Sequence, residues 1–321
     1  MRIVFISICF SLASALSFGQ QKDTLIRKLD SLSQKTDSAG KQLNNTMEAA
    51  YNPQTILTFK TYFLLLGSNL KQSFTKPFHM TGKDWGKFGA FAAAAGALSL
   101  ADETIQKEAL RFRNRNPKVI KLGRFITNFG GISESYTLAA LGAYGFLFKN
   151  QKLKTTTLLA TQSYITGAIV ESVIKTLSGR TRPNYYDPAM EAEPSFKGPF
   201  ANVSKDFSGR RSNSSFPSGH ATVAFAAATV FAMEYKSTVW VPIVSYTAAS
   251  LISASRITEN KHWTTDVFVG AMLGYLTGRQ IVNNYHRYAK LKAPQQPKNT
   301  VSFNMLYNHS HMEPGIVYTF R

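Results

Sequence analysis

The apolar residues of this chain are grouped into short segments that charged loops separate. From Trp85 onward these segments are rich in alanine, glycine and leucine and contain little proline, a composition that favours helices over strands. Six segments stand out, at 88–101, 135–148, 155–174, 220–233, 239–254 and 264–277. The pattern predicts an all-α fold, a bundle of about six helices packed through small residues.

The C-terminal stretch has a different pattern. Apolar and polar residues alternate in two runs on either side of the turn-prone sequence NHSHMEPG, which predicts a small β-hairpin. The alternating apolar residues are Val301, Phe303, Met305 and Tyr307 in the first run and Ile316, Tyr318 and Phe320 in the second. His309 and His311 lie between the runs, and two loop histidines without a nearby carboxylate are more often solvated than metal-binding.

The first twenty residues predict an export signal. Arg2 precedes an apolar stretch that ends in small residues suited to signal-peptidase cleavage. Cys9 lies inside this stretch and is the chain's only cysteine, so the mature chain would have no disulfide and no thiol nucleophile. A lipoprotein signal is the weaker interpretation, because the bulky Ile8 precedes Cys9.

These patterns divide the chain into four parts. They are a signal peptide at 1–20, a polar arm with an amphipathic segment at 21–84, a helical domain at 85–281, and a basic tail with the hairpin at 282–321. Export predicts a location in the cell envelope, and a protein embedded in or associated with the inner membrane is preferred over a soluble periplasmic one. Most apolar segments are shorter than the ~20 residues of a typical span, so both a buried bundle and tilted, marginal spans fit.

The charge is strongly basic. Thirty-seven Lys and Arg residues against 18 Asp and Glu residues give a formal net charge of +19, which favours polyanionic partners. Export argues against nucleic acid and leaves an anionic membrane surface and phosphorylated substrates. A solvated basic face near a membrane explains the charge equally well.

Two stretches carry polar residues at the ends of predicted helices. In KTLSGRTRP, Lys175 ends an apolar helix and six residues separate it from Arg182; alone, such cations simply suit a helix C-terminus. In PSGH, Ser218 can cap a helix, Gly219 permits close approach of the backbone, and the amides that follow form an anion site. Alone, this second stretch is more simply a capped helix start.

The third stretch, SRITENKHWTTD, contains a histidine and a carboxylate four residues apart. On a helix His262 and Asp266 share a face, so the carboxylate can fix the tautomer and leave the other ring nitrogen as a base or nucleophile. Arg256 ends the preceding helix, which the EYKST turn folds back antiparallel. All three stretches are therefore expected at one end of the bundle, where their cations and backbone amides could hold phosphate oxygens.

Together the three stretches resemble the signature of the type 2 phosphatidic acid phosphatase (PAP2) superfamily, which is related to bacterial class A acid phosphatases and vanadium haloperoxidases. The resemblance covers about residues 85–281, with matches at Lys175 to Pro183, Pro217 to His220 and Ser255 to Asp266. It implies that His262 attacks phosphorus to form a phosphohistidine while Asp266 holds its ring. It also implies that His220 protonates the leaving oxygen and later activates water.

The same resemblance implies a phosphate-binding set that works without a metal or other cofactor. Charge on the equatorial oxygens of the transition state would be neutralised by Lys175, Arg182 and Arg256, together with Ser218 and the Gly219 amide.

We therefore expect an exported, metal-independent phosphatase that acts on phosphate monoesters or diphosphates, preferably lipid-linked ones such as phosphatidate, polyprenyl diphosphate or lipid A phosphates. Its site would face the periplasm or the outer side. The alternatives are a soluble periplasmic acid phosphatase, a vanadate-dependent haloperoxidase and a non-enzymatic binder of anionic lipid. In the loop 184–215, Arg210 and Arg211 either assist a second phosphate or are simply solvated.

Overall fold

The computed structural model describes residues 56–128, 132–186, 192–203, 212–292, 299–308 and 311–320. Within these residues the chain forms nine α-helices, so the predicted count of about six is too low. They are α1 Phe59–Thr75, α2 Gly82–Ser99, α3 Asp102–Arg115, α4 Pro117–Asn128, α5 Ile132–Leu147, α6 Gln151–Ser178, α7 Gly219–Glu234, α8 Trp240–Thr258 and α9 Thr264–Lys292. Each of the six predicted segments overlaps one helix, α2 or one of α5 to α9.

Helices α3 and α4 lie in a region too charged to be recognised as an apolar segment. Helix α3 has Asp102 and Glu103 in its first turn and Arg113 and Arg115 in its last. This order complements the helix dipole and stabilises a helix that lacks a wide apolar face. Pro117 begins α4, and a proline is favourable at the first helical position.

Helix α1 lies within the predicted polar arm and packs against α6 and α9 through buried amides. Asn69 donates to Gln162 Oε1 at 3.1 Å and accepts from Asn284 Nδ2 at 2.7 Å, and Gln72 donates to Asn284 at 3.2 Å. These hydrogen bonds satisfy buried polar groups that would otherwise be costly, so the packing face of α1 is partly polar. Gln162 of α6, which lies inside the predicted apolar segment 155–174, belongs to this network.

Helix α7 is at the centre of the bundle and contacts α6, α8 and α9. Nearly all of its residues from Ala221 to Ala232 are buried, which explains why this segment has no polar stripe. Together with Leu159 of α6 and Ile281 of α9, Val230 belongs to the main hydrophobic core.

Three glycines of α9, spaced four residues apart, allow a close contact between α9 and α7. A Cβ atom at Gly270 would lie 2.6 Å from the carbonyl oxygen of Ser218, the N-cap residue of α7. At Gly274 or Gly278 it would lie 2.2 or 2.5 Å from a carbonyl oxygen within α7. Real Cβ atoms are not found this close, so the two backbones can meet only at glycine. This contact fixes the start of α9 beside the start of α7.

The remaining described residues include two strands, β1 Asn299–Asn308 and β2 His311–Phe320, which pair antiparallel from Asn299 opposite Phe320 to Asn308 opposite His311. None of the described helices combines the length and apolarity that crossing a membrane requires. The predicted signal peptide with Cys9, residues 21–55 of the predicted arm, Arg210, Arg211, His309 and the side chains of both strands lie outside the described residues.

Candidate active site

The first motif turns back on itself where α6 ends. Lys175 lies in the last turn of α6, and Gly179 ends the helix with a left-handed φ of 56°. A Cβ at Gly179 would lie 2.2 Å from the carbonyl oxygen of Gly198, so only glycine permits this turn. The chain then leads directly to Arg182.

Hydrogen bonds join the three motifs at one end of the bundle. The indole Nε1 of Trp263 donates to the carbonyl oxygen of Thr181 at 2.8 Å, which ties the third motif to the first. The amide of Ser218 donates to the carbonyl oxygen of Asp266 at 3.0 Å, which ties the second motif to the third. The three stretches therefore meet in space although the chain separates them widely.

Lys175, Arg182 and Arg256 are the predicted phosphate-binding cations, called the motif cations below. Two of these three have carboxylate partners. Lys175 Nζ is ion-paired with Glu171 one turn earlier in α6. Arg256 donates through NH1 to Glu259 at 2.9 Å and to the hydroxyl of Thr127 at 3.3 Å. These contacts hold the flexible side chains, so less conformational entropy remains to be lost when a ligand binds.

Arg182 is held by neutral groups within the described part of the chain. Its Nε donates to Ser214 Oγ at 3.1 Å, and its NH2 donates to the Ser214 carbonyl oxygen at 3.2 Å. Burial and the nearby Arg256 lower the pKa of Arg182, although the guanidinium remains charged at neutral pH. This crowding of positive charge suits an anionic ligand that brings two or more negative charges.

His262 is buried and its tautomer follows from its hydrogen bond. Nδ1 lies 2.8 Å from the carbonyl oxygen of Ser215, which can only accept, so Nδ1 carries the proton and Nε2 keeps its lone pair. Asp266 Oδ2 lies 3.7 Å from Nδ1, so the ring nitrogen's proton goes to the carbonyl and not to the carboxylate expected from the sequence. Burial, with the charges of Arg182 and Lys175, lowers the pKa of His262 to about 3, although Asp266 acts in the opposite direction.

The oxygens of Asp266 are already occupied by other donors. Oδ1 accepts from Arg180 NH1 at 2.7 Å, and Oδ2 accepts from Ser215 Oγ at 2.5 Å and from the Trp263 amide at 2.9 Å. Burial alone would raise the pKa of Asp266, but His262, Arg180 and Ser215 together hold it below its usual range. Asp266 is therefore an anion that acts on His262 through its charge.

The start of α7 offers hydrogen-bond donors to an anionic ligand. Ser218 occupies the N-cap position without capping the helix, and its buried Oγ has no hydrogen-bond partner among the described residues. The amides of the first turn, beginning at Gly219, have no acceptor within the helix. An anion at this position would satisfy both groups and would interact favourably with the helix dipole.

His220, in the first turn of α7, lies in the field of all three motif cations. Burial, followed by the charges of Arg256, Lys175 and Arg182, lowers the pKa of His220 to about 4. Without a ligand both site histidines are therefore neutral at physiological pH.

The segment that carries this site also matches known proteins. Residues 156–289 match the family model described as PAP2 superfamily. These residues, the PAP2 segment of this chain, are therefore similar to the PAP2 superfamily. Every site residue of the three motifs, from Lys175 to Asp266, lies inside the PAP2 segment.

Curated relatives match shorter or more distant parts of the chain. A lipid A 1-phosphatase from Porphyromonas gingivalis is 49% identical over 65 residues, which are 20% of this chain and 15% of that protein. Lipid phosphate phosphatase 1 from Arabidopsis thaliana is 31% identical over 157 residues, 41% of this chain and 48% of that protein. The chain thus matches no more than about half the length of either relative.

A solved structure is also similar. The crystal structure of a transmembrane PAP2 type phosphatidylglycerolphosphate phosphatase from Bacillus subtilis is 23% identical, with a TM-score of 0.42. The similarity covers 60% of this chain and 91% of that one.

Several residues that contact the predicted site residues were not predicted from the sequence. Arg180, Ser215 and Glu171 contact predicted site residues, and Asp102 contacts Arg180 from outside the PAP2 segment. Glu171 and Arg180 flank the predicted cations and have no spacing signature of their own. A buried charge needs a partner, and that rule indicates that a partner exists without identifying it.

Substitution Gly219→Ala is expected to weaken binding of the phosphate group. A Cβ at this position would lie 3.1 Å from Glu171 Oε1, so either the carboxylate with its Lys175 partner or the start of α7 must move. We expect the inhibition constant of inorganic phosphate to rise about tenfold, which corresponds to about 1.4 kcal/mol.

The matched control is Gly96→Ala in α2, where a Cβ would meet nothing within 4 Å. Equal phosphate inhibition in both variants would contradict the importance of this contact.

The two neutral histidines are expected to make folding stability depend on pH. An unfolded histidine has a pKa of about 6.5, whereas His220 and His262 have folded pKa values of about 4 and about 3. Below about pH 6.5 the unfolded chain binds protons that the folded chain does not, so their contribution to stability is present above this pH and lost as pH falls toward 4. The loss approaches about 1.4 kcal/mol per pH unit for each histidine.

Urea unfolding of the ligand-free protein at several pH values between 7 and 5 measures this slope. The double variant His220→Asn, His262→Asn is expected to have a clearly shallower slope, and an unchanged slope would show that other groups cause it.

Proposed function

We propose that this protein is a metal-independent phosphatase that hydrolyses lipid-linked phosphate monoesters or diphosphates through a phosphohistidine intermediate. The observation that carries the proposal is the state of His262, whose Nδ1 is hydrogen-bonded to the Ser215 carbonyl, so that Nε2 keeps its lone pair. Its lowered pKa of about 3 keeps that lone pair available at any physiological pH. A buried neutral imidazole among several cations is suited to attack on a bound phosphate.

In the first step His262 Nε2 would form a bond to phosphorus as the bond from phosphorus to the leaving oxygen breaks. His220 would donate its proton to that oxygen. The free-enzyme pKa of His220 is about 4 because three cations act on it, and a bound phosphate dianion would offset their charge and raise this pKa. Substrate binding would thus create the acid that the step needs.

In the second step water would attack phosphorus and break its bond to Nε2, while His220 accepts the proton of the water. Lys175, Arg182 and Arg256 would neutralise the equatorial oxygens, with the Ser218 hydroxyl and the Gly219 amide as further donors. These fixed charges would take the part that a metal ion has in other phosphoryl-transfer sites.

The surface of the helices supports a lipid-linked substrate. Helix α2 has no buried residue, and Trp240 of α8 and Phe146 of α5 are 73% and 68% exposed. Exposed apolar residues on this scale mark contact with a membrane or another protein, and a net charge of +19 favours an anionic membrane surface. The names of the relatives, a lipid A 1-phosphatase and a lipid phosphate phosphatase, agree with this substrate class.

Phosphate release from a panel of substrates tests the proposal. Phosphatidate, polyprenyl diphosphate, a lipid A phosphate and a small aryl phosphate are compared in EDTA, with purified full-length protein in detergent. We expect release from at least one lipid, faster than from the aryl phosphate. Preference for the aryl phosphate by a protein that needs no detergent would indicate a soluble acid phosphatase, and release that EDTA abolishes would contradict metal independence.

Two experimental results would indicate a different class of protein. Lipid binding that survives His262→Ala, with no turnover by the wild type, would indicate a non-enzymatic binder. Bromide oxidation by peroxide that appears only after vanadate loading would indicate a haloperoxidase.

A further inference from the structure

Arg180 is a buried cation placed between two buried carboxylates. Its NH1 contacts Asp266 Oδ1 at 2.7 Å and its NH2 contacts Asp102 Oδ2 at 2.7 Å, and none of the three side chains is more than 1% exposed. An arginine can make both contacts at once because its planar fork carries donors on two sides. The group as a whole carries one negative charge, and Asp102 supplies it.

Arg180 contacts both groups that face the Nδ1 side of His262. Its guanidinium binds Asp266, and its carbonyl oxygen accepts the Ser215 amide at 2.9 Å. The carbonyl of Ser215 in turn accepts the proton of Nδ1 at 2.8 Å. Arg180 therefore contributes both to the orientation of the His262 ring and to the charge near its Nδ1.

Aromatic rings fix the guanidinium in this place. Its central carbon lies 5.0 Å from the ring centroid of Phe196 and 5.6 Å from that of Trp263. Both contacts are within the range of cation–π attraction. Two carboxylates and two aromatic rings thus hold the guanidinium of Arg180 in place.

Asp102 also contacts the start of α9, the helix that carries Asp266. Its Oδ1 accepts the amide of Thr265 at 2.9 Å, and Thr265 immediately precedes Asp266 in the first turn of α9. Asp102 begins α3 and lies outside residues 156–289, the segment that matches the PAP2 model. A helix outside that segment therefore supplies a buried charge to the nucleophile's surroundings.

We propose that Asp102, acting through Arg180, is a positioning residue that leaves Asp266 an effective anion toward His262. This inference rests on the proposed phosphohistidine mechanism. When Nε2 bonds to phosphorus the ring becomes positively charged, and a nearby negative charge stabilises that state. Without Asp102 the charge of Arg180 would be matched only by Asp266, and the two would cancel as seen from the ring.

Substitution Asp102→Asn tests the inference. The amide retains the size of the side chain and an oxygen for the Thr265 amide, but it removes the charge that pairs with Arg180. We expect kcat to fall roughly 10- to 100-fold, as is usual when a supporting residue behind a reactive group is lost. KM and the inhibition constant of phosphate should change by less than about twofold, because Lys175, Arg182 and Arg256 are untouched.

The inhibition constant of vanadate distinguishes a positioning role of Asp102 from a merely structural one. It forms a trigonal-bipyramidal adduct with a bond to the histidine nitrogen, so it responds to the stabilisation of a charged ring as the transition state does. The inhibition constant of vanadate should rise in Asp102→Asn by a factor similar to the loss in kcat, while that of phosphate stays constant.

Glu103→Gln is the matched control, since it removes a carboxylate from the same first turn of α3 and should leave kcat and vanadate inhibition unchanged. If Asp102→Asn does not fold, Asp102→Ser replaces it. The smaller serine also removes the charge that pairs with Arg180, and the same split between vanadate and phosphate is expected. An active wild type with a variant of unchanged kcat, or with equal weakening of vanadate and phosphate, overturns the inference. A wild type without phosphatase activity would instead refute the proposed function.

Discussion

Replacement of His262 by alanine is expected to lower kcat for phosphate release by roughly 10⁴-fold or more, with protein that remains folded. The loss is this large because no other described group at the site combines a buried position, a free ring nitrogen and a proton held on the opposite nitrogen. Loss of a nucleophile removes the covalent route entirely and leaves only the binding and electrostatic contributions of the site. KM should change far less than kcat.

Initial rates with the preferred lipid, together with thermal unfolding of each protein, measure this effect. The control is His79→Ala, at an exposed histidine that belongs to none of the three motifs and whose Nδ1 contacts the carbonyl oxygen of Thr75. His79→Ala should keep the wild-type rate. A His262→Ala variant that retains more than about 1% of wild-type kcat would argue against a histidine nucleophile.

Replacement of His220 by asparagine is expected to lower kcat by roughly 10²- to 10⁴-fold for substrates with poor leaving groups. His220 is the second neutral histidine at the site, and the charges of Arg256, Lys175 and Arg182 all act on it. If it protonates the leaving oxygen, the requirement disappears when the leaving group is stable as an anion. Formation of the intermediate from an activated aryl phosphate should therefore be almost unaffected.

The comparison needs burst kinetics, because His220 is also expected to activate water in the second step. With an activated aryl phosphate the variant should release one equivalent of the aryl group quickly and then stall. Equal losses for alkyl and aryl leaving groups, without a burst, would show that His220 is not the general acid.

The sequence predicted the central helices of the fold because they are rich in small and apolar residues and contain little proline. The run of α7 is rich in alanine, which has the highest helix propensity, so it strongly favours a helix. Neither α1 nor α3 was among the six predicted apolar segments, although α1 lies within the predicted arm with its amphipathic segment. The face of α1 is held by amides such as Asn69, and α3 is held by charged end turns with a single buried carboxylate, Asp102.

The motif residues could be located in the sequence because their spacing is local. His262 and Asp266 are four residues apart, and Ser218 to His220 are consecutive. The partners behind them were not found, because a buried ion pair joins Arg180 to Asp102 across 78 positions of the chain. The bond from His262 to a backbone carbonyl was equally hidden, since every residue has a carbonyl and only the folded loop determines which one is near.

Rapid-quench trapping would show whether His262 becomes covalently phosphorylated during turnover. Purified protein is mixed in EDTA with a lipid substrate that carries ³²P in its terminal phosphate, quenched in alkali within milliseconds, digested, and mapped by mass spectrometry. We expect a base-stable, acid-labile phosphate on the peptide that contains His262. With a ³²P-labelled activated aryl phosphate, which does not need the acid, this adduct should accumulate further in His220→Asn. Rapid turnover with no phosphate on that peptide, in either protein, would contradict it.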